Sequence, residues 1–194
     1  MMEIWDARRR PRGAAQLLGA MALIALAGCT SNGDAASERS FADGQSVTPP
    51  SAARATWPVP DDVAERVAAA GLDLGPMGTA AHFHPQLRIV INDRAVPVAA
   101  NIGVDPTTGA MSALHTHEGD GTVHIEADNA ADEFTLGQLF VQWDVPLTET
   151  RIGDVRAAPG QRVELTSNGQ TVRGKPGLLK LEPDQQIVLE LRGG

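Results

Sequence analysis

Five histidines lie between residues 82 and 124, as His82-Phe83-His84, His115-Thr116-His117 and His124, and the rest of the chain has none. In an extended segment residues i and i+2 point to the same face, roughly 6.5 Å apart along the chain. Two imidazoles so placed can converge on one ion at about 2.0–2.1 Å each. His124 and Glu126 are also i and i+2, so they too share a face. The only cysteine is Cys29, far from this window. An imidazole site without thiolate suits zinc, copper, nickel or iron(II) rather than magnesium or calcium. The reading is therefore a transition-metal site, zinc or copper first, on His82, His84, His115, His117 and His124, with no organic cofactor. Glu118, Asp120 and Glu126 are candidates to orient the ring N–H groups from behind. Gly119-Asp120-Gly121 supplies a tight turn that folds His117 and His124 towards one another. Five histidines exceed the needs of one tetrahedral ion, so either one of them supports from outside or two sites exist.

The same residues admit a second reading. Histidines can cap strands, donate to backbone carbonyls or form a pH-sensitive hydrogen-bond network without metal. In that case Phe83 and Leu114 are core and the flanking rings satisfy backbone groups at a sheet end. Enzyme templates add little. The segment around His115 resembles part of a cupin metal motif, but Glu118 follows the second histidine too closely and Glu126 too late. Alpha-type carbonic anhydrases pair a strand His-x-His with a third histidine, yet this chain is too short for that fold. No Gly-x-Ser-x-Gly elbow, His-Glu-x-x-His helix, P-loop or dinucleotide fingerprint is present. No catalytic residue is assigned, although an open three-histidine zinc site can activate water.

The elements that must hold these side chains are legible in the periodicity. Leu87, Ile89 and Ile91 alternate with Arg88 and Val90 as a strand, Asn92-Asp93-Arg94 turns, and Ala95 to Ala99 returns, with Pro97 marking an edge or bulge. His124 to Ala127 is a shorter strand. Leu136, Leu139, Phe140 and Trp143 fall at i, i+3, i+4 and i+7, and Thr135 with Gln138 forms a capping box, which predicts a helix. Arg162–Thr166, an Asn168-Gly169 turn, Thr171–Arg173 and Ile187–Leu191 follow as strands. Hairpin, helix, hairpin and closing strand predict an α+β fold: a small mixed sheet with one main helix, β-grasp-like, the alternative being a small β-sandwich. Ahead of this domain, Pro60, Asp61 and Asp62 open a short helix whose Val63, Val67 and Ala70 share a face and which Gly71 ends.

The beginning of the chain carries an address. Arg8, Arg9, Arg10 and Arg12 precede an apolar run from Ala14 to Ala27, which at about 14 residues is short of the roughly 20 that span a bilayer. Leu26-Ala27-Gly28-Cys29 closes it. This arrangement resembles the lipobox signal peptide of bacterial lipoproteins. That resemblance implies cleavage before Cys29, lipid on its thiol, and a protein anchored on the extracytoplasmic face of a cell membrane. Residues 30–56 are small and polar, too poor in apolar surface to order themselves, and read as a disordered tether with a reach of roughly 30 Å. The expected organisation is a signal peptide at 1–28, a tether at 29–56, a short N-terminal helix within 57–76, and a compact α+β domain at 77–194.

Composition trims the remaining classes. The formal net charge of -8 argues against nucleic acid and against electrostatic binding to an anionic lipid surface. Tyrosine is absent and aromatics are 4%, which leaves little for stacking on bases or sugars. The central segments His82-Phe83-His84-Pro85-Gln86-Leu87, Ala100-Asn101-Ile102-Gly103, Leu114-His115-Thr116-His117, His124-Ile125-Glu126 and Phe134-Thr135-Leu136-Gly137-Gln138 resemble a family of uncharacterised exported or membrane-linked prokaryotic proteins. The resemblance implies that the histidines and the helix form one module; it carries no activity. The function expected is metal sensing, buffering or delivery by a lipoprotein, the alternative being a non-catalytic envelope protein that binds another protein and uses its histidines structurally.

Overall fold

A computed structural model of the chain describes residues 57–193. The expected signal peptide, Cys29 and the tether lie outside the described residues. In chain order the elements are α1 (Val63–Ala69), β1 (Leu74–Gly75), β2 (Ala81–Phe83), β3 (Gln86–Ile91), β4 (Arg94–Val96), β5 (Met111–Ser112), β6 (Leu114–His115), β7 (His124–Ala127) and α2 (Leu136–Gln142). After them come β8 (Leu147–Thr148), β9 (Arg151–Ile152), β10 (Val155–Arg156), β11 (Glu164–Ser167), β12 (Gln170–Val172), a 3-10 turn at Pro176–Leu178, and β13 (Gln186–Leu191).

Two hairpins define the main sheet. Asn92 and Asp93 take φ values of 51° and 62°, and Asn168 and Gly169 take 51° and 77°. Positive φ at both central residues is the turn whose twist matches a two-residue hairpin, and Asn, Asp and Gly tolerate it best. The first turn joins β3 to β4, the second β11 to β12. The last strand, β13, then inserts between them, parallel to β3 from Gln186↔Gln86 to Leu191↔Ile91 and antiparallel to β11. The resulting order, β12-β11-β13-β3-β4, is that of the β-grasp. The fold is mixed α+β, as the periodicity predicts. The return strand stops at Val96, shorter than the expected Ala95–Ala99 run, because Pro97 has no N–H to continue the ladder.

The crossover helix α2 starts where its capping box says it should. Thr135 N–H donates to Gln138 Oε1 at 2.9 Å, and Gln138 N–H donates to Thr135 Oγ1 at 3.4 Å. Leu136, Leu139 and Phe140, with Trp143 at the C-cap, are buried on the sheet side of the helix. They join Ile89, Ile125, Leu114, Leu189 and Leu191 in one core. Each such side chain contributes roughly 1.5–3 kcal/mol through burial. Helix α1 packs on α2. Its Asp62 makes no side-chain cap; the carboxylate instead meets Arg66 at 3.2 Å, and Arg66 reaches on to Asp144 at 2.6 Å. Trp57 stands edge-on to Trp143 with ring centres 5.7 Å apart and accepts its indole N–H on the backbone oxygen at 3.0 Å.

Beside the main sheet lies a second one, ordered β2-β7-β6 and antiparallel throughout. Its strands are short, and its pairing carries the histidines. His82 sits opposite Glu126, His115 opposite His124, and Ile125 is shared between Phe83 and Leu114.

Candidate metal centre

Strand β7 alternates strictly: Ile125 and Ala127 are buried in the core, and His124 and Glu126 point to the other face. Because cross-strand partners share a face, the register puts His82 and His115 on the same side as His124 and Glu126. His84 and His117 complete the two i, i+2 pairs just beyond the ends of β2 and β6. Thr116, between His115 and His117, faces inward: its hydroxyl donates to the Ala99 carbonyl at 2.8 Å and accepts from Ile102 N–H at 3.0 Å. That anchors the segment from behind and leaves both flanking rings on the side of His124 and Glu126.

The turn ahead of β7 is fixed by backbone contacts. Gly121 has φ +93° and accepts Leu87 N–H at 2.8 Å, and a Cβ there would run into the Leu87 carbonyl. Val123 N–H donates to the Pro85 carbonyl at 3.0 Å, tying the strand of His124 to the segment that follows His84. Asp120, expected behind the rings, does something else. Its Oδ1 accepts Thr122 N–H at 2.8 Å, and this bond with Thr122 holds the carboxyl below its usual range. Its work is the turn.

The cluster resolves into two trios. The His115, His117 and His124 donor atoms lie within 4.8 Å of one another, and so do those of His82, His84 and Glu126. Nε2 of His115 and Nε2 of His117 are 3.1 Å apart, and the same distance separates Nε2 of His82 from Nε2 of His84. Two nitrogens bound to one ion at about 2.1 Å stand about 3.0–3.4 Å apart in tetrahedral or octahedral geometry. The trios touch: the rings of His84 and His124 are centred 4.6 Å apart. Glu126 Oε1 lies 3.4 Å from His82 Nε2 and 3.9 Å from His124 Nδ1. Glu118 Oε2 lies 3.9 Å from His124 Nε2. All five sequence-selected histidines thus come together, and Glu126, expected only in support, stands among the donors.

Hydrogen bonds fix one tautomer. His115 Nδ1 lies 2.9 Å from the Ser112 carbonyl, which can only accept, so the proton is on Nδ1 and the Nε2 lone pair faces the cluster. Burial pushes the His115 pKa down to about 4 from an ordinary 6.5, and the Ser112 bond only partly opposes it. The ring is therefore neutral, the form that ligates. Ser112 carries no signal in the sequence because the group that matters is its backbone oxygen.

His124 is the anomaly. It is ringed by His84 at 4.6 Å, His117 at 4.7 Å and the stacked His115 at 5.3 Å between ring centres. Both of its ring nitrogens are buried without a hydrogen-bond partner. Burial, followed by the neighbouring His84 and His117, lowers its pKa, while Glu126 and Glu118 pull the other way. An unpaired buried polar group costs about 1–3 kcal/mol. The histidine groups could hold a metal ion, and such an ion would give that nitrogen its partner.

Among the described residues no helix is long and apolar enough to cross a membrane. No protein-family model, curated protein or solved structure matches this chain, so the chemistry of the site rests on its own geometry.

Proposed function

We propose that this protein binds a transition metal, zinc or copper, through its histidine cluster, and that it does so on the extracytoplasmic face of a cell membrane, anchored by lipid on Cys29. Its role is to sense, buffer or deliver the ion there. The observation that carries the metal reading is His124, whose two ring nitrogens are buried and unpaired, surrounded by three further imidazoles and faced by two carboxylates. Whichever nitrogen takes the ion, the other has the Glu126 or Glu118 carboxylate 3.9 Å away, a small shift from the hydrogen bond that orients a ligating imidazole. The anchor reading rests on the arginines, the short apolar run and Cys29 in register.

The test is direct. The full chain is purified without a polyhistidine tag, its bound metal measured, and its melting followed with and without chelator. Metal should co-purify, and a free ion at a hundred times its dissociation constant adds about 2.7 kcal/mol of stability. If zinc, copper, nickel and iron all fail to co-purify and leave the melting temperature unchanged, the histidines are structural and the envelope protein works by binding another protein.

A further inference from the structure

The geometry points to a centre for two ions, an inner one on His115, His117 and His124 and an outer, exchangeable one on His82, His84 and Glu126. This rests on the metal-binding reading and gives it a stoichiometry and a direction. Six donors exceed the four that a tetrahedral ion accepts, and they fall into separate trios rather than one shell. The trios also differ in kind. The inner offers three imidazoles, a set suited to zinc or copper with one position left open; the outer is two imidazoles and a carboxylate, a set that leaves several positions to water.

Access separates them further. The His82 side chain is 59% exposed, whereas His115 is wholly buried. Solvent reaches the outer trio first. The inner trio is screened on that side by the His84 ring, which packs against His124. Two cations this close repel each other, and the Glu126 carboxylate stands where it offsets that repulsion, its Oε1 within 3.4 Å of a nitrogen of the outer trio and 3.9 Å of one of the inner. An ion thus binds the outer trio from solvent, passes by His84 to His124, and is retained inside. Such an order fits a protein that captures ions at a membrane surface and holds them.

Zinc binding to the full chain, followed by native mass spectrometry and by brief exposure to a chelator, tests this. The unaltered protein should carry two ions and keep one after the brief exposure. The His82→Ala, Glu126→Gln double variant should carry one ion, retained through the exposure and acquired more slowly. His117→Ala should carry one ion and lose it at once. Because His82 is exposed and glutamine has the shape of glutamate, the outer variant keeps the fold, and its melting curve checks that it does. A single ion in the unaltered protein, undisturbed by the outer double variant, overturns the two-ion centre while leaving metal binding intact. Two ions removed together overturn the inner and outer order. No zinc in any form overturns the metal-binding reading itself.

Discussion

At the scale of single residues, His115 is prepared to stay neutral. His115 titrates near 6.5 when unfolded and at about 4 when folded, because burial penalises its charged form. Between those values the unfolded chain holds a proton that the folded chain does not. The His115 contribution is therefore complete above pH 6.5 and is lost as the pH falls towards 4, by roughly 3 kcal/mol over the whole window. His124 is lowered as well and acts in the same direction. The exposed carboxylates held by local hydrogen bonds, Asp105 and Asp120, titrate below their ordinary 3.8 and stay out of the window between pH 6.5 and 5. Chelated protein should thus melt progressively lower as the pH is taken from 7 to 5, and a flat melting temperature across that range would mean the rings are not desolvated. The same burial suits His115 to a ligand role: Nδ1–H is committed to Ser112, and desolvation leaves protons competing weakly for the Nε2 lone pair.

At the scale of elements, the site depends on where β7 is delivered, and that depends on Gly121. Alanine at this position is strained by φ +93° and drives a methyl into the Leu87 carbonyl, so the Leu87–Gly121 bond and the turn holding His124 must shift. Gly121→Ala should cost about 2–3 kcal/mol and weaken metal binding, whereas the same change at Gly109, where a Cβ meets nothing, should cost less and leave binding alone. Denaturant melts and zinc titrations of the two variants distinguish a local effect on the site from a general loss of glycine freedom. The elements readable beforehand are those with enough length or special chemistry to leave a period: β3, the Asn92-Asp93 and Asn168-Gly169 turns, the capped α2 and β13, which together set the β-grasp order. Strands of two residues, such as β5, β6 and β9, are too short to show alternation; pairing fixes their register, β5 against the distant β1, β6 against the nearby β7, and β9 against its neighbours β8 and β10. The histidines were legible as a set because i, i+2 spacing is local. Their division into trios was not, because it comes from the register of β7 against β6 on one side and against the distant β2 on the other.

At the scale of the whole molecule, the proposed residence at a membrane needs something to hold the protein there. Charge does not explain it: the chain carries a formal -8, and the arginines of the leader mean the remainder is more acidic still, so an anionic lipid surface repels it. A spanning helix does not explain it among the described residues either. The anchor proposed is lipid on Cys29. One acyl chain gives only marginal, reversible attachment, of the order of 10⁴ M⁻¹, and two or more give stable residence. In the native host the protein should therefore remain in the membrane fraction through a high-salt wash and enter detergent. Cys29→Ser removes the only thiol in the chain, and with it the attachment point, so that variant should be neither lipid-labelled nor processed at this position. Release of the unaltered protein by salt alone would mean that a charged partner holds it. Incorporation of labelled fatty acid into the Cys29→Ser protein would place the lipid elsewhere and sink the lipobox reading, while leaving the histidine centre, which shares no residue with it, to be judged on metal.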